Sequence, residues 1–254
     1  MRLTSSNYYS REANAVYWSA SFVKAMLDCP ARTLAELRGE YTRPESTALL
    51  VGNYVDSYFE GAKYHKAFVV EHPEIFNSRT GELKRDYQKA NEMIARAESD
   101  KVFMSYLSGY RQKIFTGEID GIPFKCKLDF YKPGVRIVDF KTVKDFENGY
   151  DLERGTITFA EVWNWPLQMA IYRHLVGGNL PCYLACVTKQ DPPDLEVVQI
   201  PPDLMDVEFE ALRAKLPYFD AMRQGIVEPE RCGKCAYCRG SKKIKGAISL
   251  NDFY

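Results

Sequence analysis

The stretch Lys127-Leu128-Asp129-Phe130-Tyr131-Lys132-Pro133-Gly134-Val135-Arg136-Ile137-Val138-Asp139-Phe140-Lys141 decides how this chain is read. Polar and apolar residues alternate on both sides of Lys132-Pro133-Gly134, the period of two that marks paired strands. Leu128 and Phe130 are expected on one face, with Lys127, Asp129 and Tyr131 on the other. In the second strand Val138 and Phe140 share a face, opposite Ile137, Asp139 and Lys141. A three-residue loop would pair Tyr131 with Val135 and set Asp129 against Ile137. Asp139 is then the diagonal neighbour of Asp129, about 7–8 Å away and within reach of a shared ion. A two-residue loop would put Asp129 on the face of Val138 and Phe140, which the apolar pattern rejects. Two carboxylates and an ammonium converge beside an apolar layer, as a metal-dependent hydrolase requires.

Acids on a strand face are ordinarily just solvated, and Asp-x-Lys alone carries little information. Asp is nevertheless depleted within strands, and here two occur among Leu, Phe and Val. Upstream, Ile114 to Ile119 and Gly121 to Phe124 read as another strand pair turning at Asp120-Gly121. The acids thus sit in the middle of a meander.

The chain has 254 residues, enough for one domain with a substantial core, and 46% hydrophobic and 27% charged residues are ordinary for a globular protein. No apolar run approaches a membrane span, and Met1 to Asn7 lacks the apolar core of a signal peptide. A cytoplasmic location is expected. The formal net charge is zero, so bulk charge gives no argument for a nucleic-acid partner.

Seven cysteines in such a chain point to metal or redox chemistry before disulfides. Cys126, Cys182 and Cys186 are scattered, whereas Cys232-x2-Cys235-x2-Cys238 forms a tight run. Its spacing suits three corners of a [4Fe–4S] cluster. Zinc sites more often pair two separated Cys-x2-Cys knuckles, and unligated thiols would be an oxidation liability. Cys29, at a break between two helical stretches, is the best fourth ligand.

Helices are expected from Ser19 to Cys29, Ala31 to Leu37, Thr47 to Glu60, Asp86 to Leu107, Phe159 to Val176 and Asp203 to Arg223. Strands are expected at Pro181 to Lys189 and Glu196 to Ile200, and residues 61–86 are read as mixed. The fold class that follows is α/β or α+β, one domain over 1–254 with a small central mixed sheet flanked by helices. A cysteine strap over about 225–245 closes it. Asp56, in Gly52-x-x-x-Asp56, could bring a third hard oxygen ligand, or be a solvated surface acid. Gln168 and Tyr172 share a helix face, where a half-buried packing stripe is the plainer reading. P-loop, Gly-x-Ser-x-Gly and His-Glu-x-x-His patterns are missing. None of His65, His72 and His174 neighbours the acids in sequence.

The order of these elements resembles the PD-(D/E)XK nuclease superfamily, in its RecB-like branch and the RecE-type phage exonucleases, over nearly the whole chain. Asp129 followed by Asp139-Phe140-Lys141 matches the family's Asp…(Asp/Glu)-x-Lys core, and Ile137 to Thr142 its central strand. Asp56 stands where RecB-like members carry a histidine, and Gln168-x-x-x-Tyr172 matches a helix that borders the active site and touches DNA. Cys29 with Cys232, Cys235 and Cys238 has the layout of the cluster in AddB and the CRISPR-associated relatives, although the family's last two cysteines are more widely spaced.

The resemblance implies a restriction-endonuclease-like core and a DNA exonuclease serving phage-type recombination or repair. Asp56, Asp129, Asp139 and the carbonyl of Phe140 would hold Mg²⁺ or Mn²⁺, with Lys141 beside the attacking water and Gln168 and Tyr172 positioning the strand. Lys144 and the acid-free run with Arg231, Lys234, Arg239, Lys242, Lys243 and Lys245 would contact phosphates, unless that run is a solvated tail. Expected partners are linear duplex or single-stranded DNA, a single-strand annealing recombinase and further copies of the chain. The rivals are a non-catalytic nucleic-acid-binding accessory module and a redox-responsive regulator on the same fold.

Overall fold

The computed structural model describes residues 1–44, 46–244, 246–247 and 249–250. The chain divides into two compact units, one of residues 1–20 and 44–214 and the other of residues 21–43 and 215–254.

The larger unit carries a five-stranded sheet of β1 (Tyr110–Ile119), β2 (Ile122–Lys132), β3 (Arg136–Val143), β6 (Cys182–Thr188) and β7 (Leu195–Ile200), in the order β1-β2-β3-β6-β7. The β3–β6 pair is parallel and the other pairs are antiparallel, so the sheet is mixed. A parallel pair needs a long connection. The chain between β3 and β6 supplies it, through the small hairpin of β4 (Gly149–Asp151) and β5 (Gly155–Ile157) and the helices α8 (Phe159–Val162) and α9 (Trp165–Val176). The expected helix from Phe159 to Val176 is thus two, divided where Asn164 takes a left-handed conformation at φ 51°.

Of the helices before the sheet, α1 (Arg11–Val16), α4 (Thr47–Glu60), α5 (Ala62–Glu71), α6 (Arg85–Ser99) and α7 (Lys101–Tyr106) belong to this unit. The long helix expected from Asp86 to Leu107 breaks at Asp100, whose carboxylate accepts the N–H groups of Val102 and Phe103 at 2.9 Å and so begins α7. One sheet face, with Phe130, Val138, Phe140, Ala185 and Val187, packs on α4 and α6. The other, with Cys126, Leu128, Ile137, Leu184 and Cys186, packs on α9 and on Met205 of α10 (Pro202–Arg223).

Leu128 and Phe130 therefore lie on opposite faces, contrary to strict alternation. The β1–β2 ladder skips the pair Gln112 and Asp129, and Gln112 sits at φ 52°. This local irregularity turns the strand over between Leu128 and Phe130. The hairpin register also differs from expectation by two residues: Tyr131 pairs with Ile137 and Lys132 with Arg136, around Pro133 to Val135. Its ladder ends at Phe130–Val138, although both strands continue, so β2 and β3 fork where Asp129 and Asp139 stand.

The smaller unit contains α2 (Ala20–Asp28, from Ser21 onward), α3 (Pro30–Arg38), the C-terminal part of α10 and α11 (Ala236–Gly240). Pro30 begins α3 and Gly39 ends it at φ 77°. The strap expected over 225–245 contains α11, and its last residue, Lys245, lies outside the described residues.

Candidate active site

The fork between β2 and β3 leaves the Phe140 N–H without a ladder partner, and the Asp129 carboxylate accepts it at 3.0 Å. The other Asp129 oxygen accepts the Gln112 side-chain amide at 3.1 Å, so the residue that disturbs β1 also fixes the acid. On β3, Asp139 is 2% exposed; its Oδ1 accepts the Gln168 amide from α9 at 2.9 Å. Asp139 Oδ2 is buried against the Lys141 ammonium, 2.5 Å away, in a charge-assisted contact. Lys141 is backed by the Trp165 ring, its nitrogen 5.8 Å from the centroid.

Asp56 arrives from α4 on the strength of a glycine. A Cβ at Gly52 would stand 3.3 Å from Thr142 Oγ1 on β3, so the missing side chain lets the helix approach the strand closely. One turn later Asp56 faces the same cavity of about 670 Å³ as Asp129, Asp139, Lys141, Gln168 and Tyr172. Lys127, expected on the Asp129 face, also lines it, as do Glu60 and Gln112, which were not singled out in the sequence. Glu60 ends the α4 stripe that carries Asp56, and that spacing was the available signal; nothing local marks Gln112.

The electrostatics follow from crowding acids with few cations. Burial above all, with Asp139 and Glu60 and against the opposing pull of Lys141 and Lys127, brings the Asp56 carboxyl up to about 7. Asp129 is raised well above the carboxylate range by burial and then by Asp139. Burial would lower Lys141, but the charges of Asp139 and Asp129 outweigh it and hold the ammonium protonated above the usual lysine range. Burial first, then Asp139 and Asp129, also raise Tyr172, whose hydroxyl accepts from Gln168 at 3.2 Å. An unpaired buried charge costs roughly several kcal/mol, so a fold that gathers three carboxylates around one close ammonium marks a functional site. The donor set fits a hard divalent cation: the carboxylates of Asp56, Asp129 and Asp139 line one cavity.

The structure therefore brings Asp56, Asp129, Asp139, Lys141, Gln168 and Tyr172 together. The Phe140 ring packs against Phe59 in the core, leaving its backbone facing the site. Lys144 is exposed and paired with Asp145 at 2.9 Å.

In the smaller unit, ligand atoms of Cys29, Cys232, Cys235 and Cys238 lie within 4.8 Å of one another. Cys126, Cys182 and Cys186 are buried separately in the sheet core. Burial pushes the Cys29 thiol up to about 12. Burial would raise Cys232 too, but the N–H groups of Cys235 and Lys234 outweigh it and bring Cys232 down to about 6. Arg231 donates to the Cys238 carbonyl at 3.2 Å and Arg239 to that of Lys234 at 2.5 Å, so both basic side chains brace this loop. Lys234, Lys242 and Lys243 are exposed.

Residues 19–241 match the family model of a PDDEXK-like domain of unknown function (DUF3799). A crystal structure from Eubacterium rectale, of a protein described as a candidate exonuclease, is 38% identical over 99% of this chain and 98% of its own, with a TM-score of 0.95. A second solved structure, of SSO0001, aligns at 16% identity over 82% of this chain and 90% of its own; its TM-score of 0.34 carries no argument. A comparison with curated proteins finds no match. With the forked strands holding Asp129, Asp139 and Lys141, and with these matches along nearly its whole length, the chain belongs to the PDDEXK-like family and has its nuclease fold.

Proposed function

We propose that this protein is a Mg²⁺- or Mn²⁺-dependent deoxyribonuclease that removes nucleotides from DNA ends, in phage-type recombination or DNA repair. The observation that carries this reading is the convergence of Asp56, Asp129 and Asp139 on one cavity, with the Lys141 ammonium 2.5 Å from Asp139 Oδ2. Asp129, Asp139, Asp56 and the Phe140 carbonyl would hold one or two divalent ions. The chemistry supplied with such an ion bound is charge neutralisation on the scissile phosphate and a water of lowered pKa.

The chain's own groups have distinct tasks. Lys141 keeps its proton among the carboxylates, so it orients the attacking water and offsets negative charge on the phosphate rather than accepting a proton. Gln168 is a positioning residue, holding Asp139 Oδ1 and the Tyr172 hydroxyl through one amide nitrogen. Tyr172 presents a protonated phenol to the cavity and would help to seat the strand. Lys144, Lys234, Lys242 and Lys243 are exposed and suited to phosphate contacts that are independent of sequence. The description of the Eubacterium rectale protein supports action from an end. Such an enzyme would work on linear duplex or single-stranded DNA and be partnered by a single-strand annealing recombinase or by copies of itself. It would function in the cytoplasm. No helix among the described residues is long and apolar enough to cross a membrane.

The test uses end-labelled linear duplex and single-stranded DNA with Mg²⁺, Mn²⁺ or EDTA, beside Asp139→Asn. Metal-dependent release of label by wild type, lost in the variant, is expected. If the two are equally inert and both still bind DNA, the accessory-module reading replaces this one. Loss of DNA binding on reversible oxidation would instead favour the redox-regulated reading.

A further inference from the structure

Cys29 stands between α2 and α3 as the residue before Pro30; Cys232 and Cys235 come from the loop that leads into α11, and Cys238 from α11 itself. The Cys29 and Cys238 sulfurs are 3.5 Å apart, Cys235 and Cys29 3.8 Å, and Cys232 and Cys238 3.9 Å. All four lie within 4.8 Å of one another. This spacing decides how many metal atoms the site can take. Four thiolates bound tetrahedrally to one ion at about 2.3 Å stand about 3.8 Å from each other. A [4Fe–4S] cube puts a separate iron beneath each thiolate and sulfides between the irons, so its cysteine sulfurs are held out of mutual contact. The sulfurs here enclose room for one ion and none for a cube.

We propose that Cys29, Cys232, Cys235 and Cys238 hold a single tetrahedral zinc ion, rather than the iron–sulfur cluster implied by the likeness to AddB. The surroundings suit that ion. Gly233, at φ 74°, turns the loop back. Cys235 then donates its N–H to Cys232 Sγ and Cys238 its N–H to Cys235 Sγ, both at 3.3 Å. Such donors stabilise thiolate charge. On binding, whichever of the four sulfurs are still protonated lose their protons to solvent, and four sulfur–zinc bonds form, leaving a centre of net charge −2. Arg231 and Arg239, bonded to carbonyls of the same loop, offset it. No electron is transferred, because zinc has one accessible oxidation state. The site is a staple joining the start of α3 to α11 and the loop before it.

The test is made on full-length wild-type protein, purified under nitrogen without added metal from cells supplied with both iron and zinc. Expected are one zinc per chain, no acid-labile sulfide and no visible absorption. After zinc is removed by a chelator, Co²⁺ should give the visible bands of a tetrahedral thiolate site, saturating at one equivalent and disappearing as zinc is returned. Brown protein containing iron and acid-labile sulfide overturns the proposal. So does Co²⁺ binding without the tetrahedral thiolate bands, or a Cys29→Ser protein that still shows the four-thiolate spectrum. None of these readouts depends on cleavage of DNA, so the outcome is separate from that of the nuclease assay.

Discussion

Asp56, Asp129 and Asp139 are gathered from α4, β2 and β3, whereas Cys232, Cys235 and Cys238 come from one short loop and the start of α11, and need only Cys29 from elsewhere. The carboxylate set is assembled by long-range packing: a missing side chain at Gly52, an irregular pair at Gln112 and Asp129, and a fork between two strands. The thiolate set is assembled mostly by local turn geometry and backbone N–H to sulfur bonds. Hard oxygens that repel one another are held by a rigid core able to bear the cost. The soft thiols lie in the smaller unit beside a core of its own, with Val23, Met26, Leu34, Leu216 and Met222 buried, and a bound metal would add to its stability. The carboxylates are gathered at a cost to the fold, whereas the thiols join two distant segments of the smaller unit.

The largest effect should come from the cysteine side. Stripping its metal removes folding energy on the order of 10 kcal/mol, the scale of structural zinc sites. Amide hydrogen exchange should then lose protection across residues 21–43 and 215–254. Unchanged protection would break the contrast, because the loop would then fold without its ion. Next in size, Asp139→Asn should lower cleavage by about 10³-fold or more, since it removes a ligand charge that the ion needs. Zinc content should stay the same, and a parallel loss of zinc would show that the change had damaged the fold.

Lys141→Met should reduce turnover by roughly 10²–10³-fold, the scale of losing one preorganised charge at the reacting centre. Mg²⁺ binding, followed by calorimetry, should persist. Gln168→Leu takes the orienting amide from Asp139 and should weaken metal affinity or activity by about 10–100-fold. A purely structural role would lower the melting temperature without moving the Mg²⁺ dependence.

The smallest effect concerns pH. Asp56 has a folded pKa of about 7, above the unfolded value of about 3.9, so folding takes up a proton between these limits. Its stabilising contribution is complete below the lower value and is lost as pH rises through about 7. In EDTA, the melting temperature of Asp56→Asn relative to wild type should therefore rise from pH 4 to 7 and level off above. A flat difference would remove Asp56 from the crowded carboxylate group.

Much of the site was legible because strands and tight cysteine spacing leave local marks. Asp139 and Lys141 share a parity on β3 that the structure keeps, and α4 occupies the span read from its sequence. By contrast, α5 was invisible because it buries none of its residues and so has no sharp apolar stripe. The hairpin β4–β5 is too short to show a period, and α1 and α11 span only 6 and 5 residues. The register of β2 against β3 was misjudged by two residues because a three-residue loop fits either closure.

By itself, the sequence determined the kinds of ligand and the elements that carry them, since residue chemistry, strand parity and cysteine spacing are local properties. Tertiary structure decided where those ligands point. The reversal of faces at Asp129 depends on Gln112 in the neighbouring strand, and the approach of Asp56 depends on Thr142 opposite Gly52. The sulfur separations that choose one ion over a cube depend on how Cys29 meets a loop some two hundred residues away. None of these is written within any one segment, because each is set by the contact of two.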